Sequence, residues 1–68
     1  TEEGEEEESP QIVKTERMVA KPMDVEEAFL QLKLAKDEFL VFTNSKTRTI
    51  NVLYRRKDGH FGLIEPTS

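Results

Sequence analysis

The feature that most limits the possible folds is an apolar run that would face both sides of a strand. In residues 38–43 (EFLVFT), Phe39 and Val41 point to one face and Leu40 and Phe42 to the other, because side chains alternate along a strand. A strand that is apolar on both faces is buried on both faces. The sheet containing this strand therefore needs cover on two sides.

The charges divide the chain into two parts. Residues 1–9 hold six Glu and no Lys or Arg, whereas residues 10–68 carry ten basic and eight acidic residues. Like charges repel, and no apolar residue is present to offset the entropy of ordering, so residues 1–10 are expected to form a disordered acidic linker. A linker at this place predicts another domain upstream. Residues 11–66 are expected to form one folded domain, and residues 67–68 a short tail.

One helix and four strands are predicted in the folded part. Residues 11–19 form a plausible strand, whose charges favour an edge position. Asp24 is a good N-cap with Glu27 three residues later, Met23 and Ala28 occupy the staple positions, and an apolar stripe predicts a helix over 24–35. Leu30 and Leu34 are expected to widen that stripe. Residues 38–43, 49–56 and 60–65 follow as strands, the last two joined at Asp58-Gly59.

These elements predict an α+β domain of order β-α-β-β-β, in which the helix packs on a mainly antiparallel four-stranded sheet. A five-residue loop at 44–48 and a two-residue loop at 58–59 give two sets of residues. The helix would cover Leu40, Phe42, Ile50, Val52, Tyr54, Phe61 and Leu63. The opposite face would collect Phe39, Val41, Asn51, Leu53, Gly62 and Ile64. A four-residue first loop would instead place Phe39 and Val41 with Ile50 and Val52, so the register stays open.

The uncovered apolar face predicts a partner. One short helix covers one side of a sheet, and a contiguous exposed apolar patch usually marks an interface. A folded part of fewer than about 60 residues is also marginal alone. A symmetric pairing of two copies is the commonest solution, so a homodimer is expected, with Phe39, Val41, Leu53 and Ile64 at its centre. The predicted first strand could instead pair with, or exchange into, the partner.

Several runs resemble a known family. They are Lys21-Pro22-Met23-Asp24, then Glu26-Glu27-Ala28, Gln31-Leu32, Phe39, Val41-Phe42, Ile50-Asn51-Val52, and Tyr54-Arg55-Arg56-Lys57-Asp58-Gly59 followed by Phe61-Gly62-Leu63-Ile64. Residues 11–66 resemble the C-terminal domain of long-form ribosome hibernation promoting factors, with sigma-54 modulation and plastid ribosome-associated relatives. The chain departs from that family at Met18, where an aromatic is common, at Lys36-Asp37 in place of Gly-His, and at Arg48 in place of a frequent Gly.

The resemblance implies a tether rather than a catalyst. In that family an upstream domain sits on the small ribosomal subunit, and two C-terminal domains pair, so that two ribosomes are joined as an inactive dimer. The implied partners are a second copy and the ribosome, and the implied place is the bacterial cytoplasm or the plastid stroma. The alternative is a module that docks on ribosomal RNA or a ribosomal protein without dimerising.

Other functional classes find little support in the residues. The chain has no Cys and one His, and its longest apolar run is four residues, so no catalytic residue, metal, cofactor, small-molecule substrate or membrane span is predicted. Arg55, Arg56 and Lys57 are a possible RNA contact, against the simpler reading of a solvated strand end. Arg56 is expected to pair with Glu38 or Glu65. Gly59 is expected to have a positive φ, and Gly62 to allow a close approach.

Overall fold

The computed structural model describes residues 9–67 of the chain. The elements are β1 (Pro22–Met23), α1 (Val25–Leu34), β2 (Phe39–Asn44), β3 (Thr49–Arg55) and β4 (Phe61–Ile64). The strands lie in one sheet in the order β1-β2-β3-β4; β1 runs parallel to β2, and the other neighbours are antiparallel. The predicted α+β class, with one helix and a mainly antiparallel four-stranded sheet, is confirmed. The predicted acidic linker lies almost entirely outside the described residues.

The first strand differs from the prediction. Residues 11–19 form no strand, and β1 is the two-residue segment Pro22–Met23. Thr43 N donates to Lys21 O (2.9 Å) and Thr43 Oγ1 donates to Ala20 O (2.8 Å), and the pairing with β2 ends there. The physical reason is the interrupted alternation of residues 11–19, where charged residues fall among the apolar ones and leave no continuous apolar side to pack.

The helix begins where its cap was predicted. Asp24 Oδ1 accepts a hydrogen bond from Glu27 N (2.8 Å), and Met23 and Ala28 are both buried beside this first turn. Leu30 and Leu34 were predicted to widen the apolar stripe, but they do not. They are 57% and 88% exposed, because the 3.6-residue period turns them about 140–180° away from Val25.

Both hairpin loops differ by one residue from the predicted lengths. Asn44 pairs with Thr49, which leaves a four-residue loop, the alternative considered above. At the second hairpin, Arg56 N donates to His60 O (2.7 Å), which leaves a three-residue loop ending at Gly59 with a φ of 89°. Asp58 Oδ1 accepts from His60 N (3.0 Å), so the aspartate side chain itself holds this longer turn.

The two slips have a simple consequence for the faces of the sheet. A shift of one residue moves every side chain of a strand to the other face. The shorter first loop places the side chains of β3 on the faces opposite to those predicted. The longer second loop shifts the pairing by one residue again, so the side chains of β4 lie on their predicted faces. Leu40, Phe42, Phe61 and Leu63 therefore lie on the helix side as predicted, although Leu63 is 38% exposed rather than covered. Ile50, Val52 and Tyr54 lie on the face away from the helix. Asn51 and Leu53 lie beneath the helix instead, with 1% and 4% exposure.

The core lies between α1 and the middle of the sheet. Its buried residues are Met23, Ala28, Leu32, Phe42 and Leu53, with Val25, Phe29, Leu40 and Phe61 packed around them. Phe29 meets Phe61 edge to face, with ring centroids 4.9 Å apart. This arrangement covers one face of the sheet and leaves the other without a layer.

Candidate interaction surface

The sheet face away from α1 is an apolar surface that the fold of residues 9–67 leaves uncovered; we call it the open face. Its seven apolar and glycine residues are Phe39 and Val41 on β2, Ile50, Val52 and Tyr54 on β3, and Gly62 and Ile64 on β4, and the polar Thr43 lies beside them opposite Ile50. Phe39 and Ile50 are each 44% exposed and Ile64 is 49% exposed, although all three are large and apolar. The open face is a contiguous patch across three strands, of the kind that marks an interface.

Two cross-strand rows organise the open face. Val41 pairs with Val52, which pairs with Ile64, so three branched side chains stand in line across the sheet. Branched residues at these positions have few rotamers, and the row is rigid before any partner arrives. Rigid apolar side chains lose little entropy on association.

The second row holds the aromatic residues of the open face. Phe39 pairs with Tyr54, which pairs with Gly62. A Cβ at residue 62 would overlap the Tyr54 ring and hydroxyl, so the glycine provides the space in which that ring lies. The expected close approach at Gly62 is therefore present, and it comes from this chain's own tyrosine. Tyr54 was predicted in the core; it lies on the open face.

Four of the six predicted interface residues remain on the open face: Phe39, Val41, Gly62 and Ile64. Asn51 and Leu53 do not, because the register places both beneath α1. Leu53 belongs to the core, and Asn51 Oδ1 accepts from Asn44 Nδ2 (2.9 Å) in a buried pair. Asn51 Nδ2 donates to Ile50 O (2.7 Å), so its polar atoms are used within the chain.

Sequence reasoning missed three residues of the open face: Ile50, Val52 and Tyr54. They were assigned to the helix side on the strength of loop length. The signal that could have found them was the buried Asn44–Asn51 pair: two asparagines seven residues apart can meet only where a four-residue loop puts them diagonally on one face.

Arg55, the first of the predicted RNA contacts, is occupied by the end of the helix. Its Nη2 donates to Leu32 O (2.6 Å) and Ala35 O (2.7 Å), and its Nε donates to Asp37 O (2.8 Å). Leu32 O belongs to the last turn of α1 and also accepts from Ala35 N (3.2 Å), whereas Ala35 and Asp37 follow the helix. Carbonyls at a helix C-terminus lack the full set of intrahelical partners, so the guanidinium supplies donors there. The guanidinium also lies 5.4 Å from the centroid of the Phe61 ring. Arg55 therefore fastens the helix to the sheet.

Arg56 and Lys57 lie apart from Arg55, at the second hairpin. Arg56 Nη2 lies 3.0 Å from Asp58 Oδ2, rather than near Glu38 or Glu65 as predicted. The hydrogen bond that Arg56 donates to the Asp58 carboxylate raises the pKa of Arg56. The pKa of Asp58 is lowered by Arg56 and then by the His60 amide. Lys57 is exposed. The three basic residues thus do not form one surface.

Two other kinds of site receive no support from the described part of the chain. No three of its His, Asp and Glu side chains are grouped so that they could hold a metal ion. Across residues 9–67, no helix has the length and apolar composition of a membrane-spanning segment.

Comparison with known proteins identifies the family. The family model described as "Sigma 54 modulation/S30EA ribosomal protein C terminus" matches residues 7–63. The ribosome hibernation promotion factor of Bacillus subtilis (strain 168) is 57% identical over 63 residues, which are 93% of this chain and 33% of the relative. The protein of the same name from Lactococcus lactis subsp. cremoris (strain MG1363) is 48% identical over 54 residues, 79% of this chain and 29% of the relative.

The chain spans about a third of the length of these relatives. The family model covers most of the chain, including the helix, the loop after β3 and nearly all of the sheet. The chain therefore belongs to the family of sigma 54 modulation/S30EA ribosomal protein C-terminal domains.

Proposed function

We propose that this domain forms a homodimer through its open face. The observation that carries the proposal is the exposure of Phe39, Ile50 and Ile64, at 44–49%, on a sheet face that no element of residues 9–67 covers. A surface of this kind is matched most simply by its own copy, because a two-fold axis brings identical patches together. The interface would centre on Val41, Val52 and Ile64, with Phe39 and Tyr54 beside them.

The chemistry of the open face suits a stable pairing. It carries no charged side chain among its seven residues, and depletion of charge at the centre is typical of interfaces. Apolar burial contributes about 25 cal/mol per Å² before association costs are subtracted. Packing against a second copy would also give a small domain the second layer that its sheet lacks.

The dimer would act as a tether between ribosomes. Both relatives are named ribosome hibernation promotion factors, and both are about three times the length of this chain, which supports an upstream ribosome-binding part in the longer protein. Pairing of two such C-terminal domains would join two bound ribosomes by raising their effective concentration. The result is an inactive ribosome dimer and repressed translation. The bacterial origin of the relatives supports the bacterial cytoplasm as the location.

The proposal is tested by the solution mass of the domain across protein concentration, measured by sedimentation equilibrium. A mass near twice 7.9 kDa that persists into the low micromolar range is expected. Raising the salt concentration should leave the dimer intact, because apolar burial is not screened. A monomer at high micromolar concentration would exclude the homodimer and favour a module that docks on the ribosome directly.

A further inference from the structure

The second hairpin contains the one Asp-Gly bond of the sequence. Asp24 and Asp37 are followed by valine and glutamate, whereas Asp58 is followed by Gly59. Glycine has no side chain to shield its own amide nitrogen, so the carboxyl carbon of a preceding aspartate can reach that nitrogen. Among residues 9–67, no atom beyond the adjacent residues lies within 4 Å of the place where a Cβ of Gly59 would stand. The bond between residues 58 and 59 is therefore open to a rearrangement that side chains hinder at the other two aspartates.

This rearrangement needs no co-reactant except water. The nitrogen of Gly59 attacks Cγ of Asp58, a C–N bond forms, and the nitrogen loses its proton. The C–O bond to the hydroxyl of the protonated carboxyl group breaks, and the hydroxyl leaves with that proton as water. The product is a five-membered succinimide ring. Water then opens the ring: attack at Cγ restores aspartate, whereas attack at the main-chain carbonyl carbon of residue 58 gives isoaspartate, in which the chain runs through Cβ and Cγ.

In the folded hairpin, both reacting groups are held in other contacts. Arg56 Nε donates to Asp58 Oδ1 (3.2 Å) and Oδ2 (3.1 Å), and Arg56 Nη2 lies 3.0 Å from Oδ2. His60 N donates to Asp58 Oδ1 (3.0 Å), and Gly59 N donates to Arg56 O (3.3 Å). The carboxyl carbon must turn toward the Gly59 nitrogen, and that nitrogen must give up its proton. Each of these hydrogen bonds therefore opposes the attack.

The charge on the carboxyl group acts in the same direction. A carboxylate has no hydroxyl to release, so the attack needs the protonated acid. The hydrogen bond from Arg56, and then the one from the His60 amide, lowers the pKa of Asp58. At neutral pH, the protonated fraction of Asp58 is therefore smaller in the folded hairpin than in an open one.

We infer that Asp58 is a latent modification site, which converts to isoaspartate when the hairpin opens, and that Arg56 slows this conversion in the folded chain. The side chains of Asp58 and Arg56 are 47% and 51% exposed, and an exposed turn of this kind opens locally at a lower free energy than the domain unfolds. Isoaspartate adds one atom to the main chain. That atom would lie inside the loop closed by the bond from Arg56 N to His60 O, and it would loosen the end of the β3–β4 pairing. The inference is independent of the proposed dimer.

The test ages the whole chain at neutral pH and measures isoaspartate at residue 58 over time. The two forms of the peptide have equal mass, so they are separated by reversed-phase chromatography and identified by electron-based fragmentation. Arg56→Met should convert about tenfold faster than the unchanged chain, and its rate should approach that of the unchanged chain unfolded in urea. Arg56→Lys, which keeps the charge without the planar fork, should fall between them. Asp24 and Asp37 are internal controls and should stay unconverted.

Lys57→Met is the matched control variant. It removes the same charge from the adjacent exposed residue, and none of the hydrogen bonds or ion pairs within residues 9–67 joins Lys57 to Asp58. It should convert at the rate of the unchanged chain. Absence of isoaspartate at residue 58 in the urea-unfolded chain would overturn the site. Equal rates for Arg56→Met and the unchanged chain, or for Arg56→Met and Lys57→Met, would overturn the role of Arg56.

Discussion

The ring of Tyr54 lies across Gly62, the residue directly opposite it on the neighbouring strand, and occupies the space that a side chain at residue 62 would need. The pair fixes the surface of the open face at its β3–β4 side. Tyr54 is partly exposed and stands between Phe39 and Gly62 in its row, so its ring forms part of the surface of the open face.

Gly62→Ala should therefore disturb the interface more than the fold. The new methyl group overlaps the Tyr54 ring, and the ring, being the outer end of a side chain, can swing away into solvent. We expect the dissociation constant of the dimer to rise about tenfold, with a loss of unfolding free energy of only about 1 kcal/mol. Sedimentation equilibrium and urea unfolding at one protein concentration measure the two effects.

A double-mutant cycle with Tyr54→Leu is the control for this pair. In that background the ring is absent, so Gly62→Ala should have much less effect on dimerisation, and the coupling between the two substitutions should exceed about 0.5 kcal/mol. Strictly additive effects would show that residue 62 acts independently of the ring.

Arg55 is expected to be a stability residue rather than an RNA contact. Arg55→Met keeps the apolar stem but removes three hydrogen bonds to the carbonyls of Leu32, Ala35 and Asp37. We expect the free energy of unfolding to fall by about 2–3 kcal/mol, the usual value for bonds that involve a charged group. Arg55→Lys should not restore it, since an ammonium cannot reach the three acceptors as the planar guanidinium does.

The control for Arg55 is its neighbour. Arg56 makes one ion pair with Asp58 in which both side chains are about half exposed, so Arg56→Met should change the unfolding free energy far less than Arg55→Met does. If Arg55→Met were as mild as Arg56→Met, the three carbonyl contacts would have no role in holding the end of α1.

The local signals in the sequence predicted the elements but not their relative faces. The cap at Asp24 and the positive φ of Gly59 were predicted correctly because each depends on a few adjacent residues. The assignment of Asn51 and Leu53 to the interface was wrong because it depended on loop length, and one residue reverses a face. The Asp58 side chain lengthened the second loop by accepting from His60 N, a contact that the dipeptide pattern Asp-Gly does not contain.

The predicted strand at residues 11–19 failed for a different reason. Strand composition alone does not make a strand, and the charged residues among the apolar ones leave this segment no continuous apolar side to pack. Within residues 9–67, Met18 and Val19 face Phe39–Val41 across a groove, but no backbone hydrogen bond joins residues 11–19 to β2. The uncovered apolar face was predicted from the two-sided apolar run in β2. Phe39 and Val41 lie on the face opposite Leu40 and Phe42 in either register, and one helix covers only one of these faces.

Arg48→Gly should stabilise the domain. Arg48 has a φ of 63°, and among residues 9–67 it is the one non-glycine residue with a positive φ. A side chain in this region costs about 1–2 kcal/mol, against about 0.5–1 kcal/mol for the extra freedom of glycine in the unfolded chain. The expected gain is about 0.5–1 kcal/mol in the urea unfolding free energy. Lys46→Gly, in the same loop without a positive φ, should lower stability instead.

The ion pair at the second hairpin should be visible in the pH dependence of stability. The pKa of Asp58 is lowered in the folded chain by Arg56 and the His60 amide. A depressed carboxyl pKa contributes stability that is present above the unfolded pKa and is lost as the pH falls through the folded pKa. Stability should therefore decline below a pH of about 4 less steeply in Asp58→Asn than in the unchanged chain. Unfolding by urea at several pH values measures the difference, and parallel curves would contradict it.

Phe39→Ala should weaken the dimer without unfolding the domain. The Phe39 side chain is 44% exposed on the open face and lies outside the core cluster, so its loss removes contact with the partner and little internal packing. We expect a loss of about 2–4 kcal/mol in dimerisation free energy, typical of an aromatic residue near the centre of an interface. Sedimentation equilibrium gives the constant. Leu34→Ala, which removes an 88% exposed side chain from the outer face of α1, should leave it unchanged.

Leu53→Ala should do the reverse of Phe39→Ala, lowering the unfolding free energy by about 2–5 kcal/mol through a core cavity. Equal dimer constants for Phe39→Ala and Leu34→Ala would show that the open face is not where two copies meet.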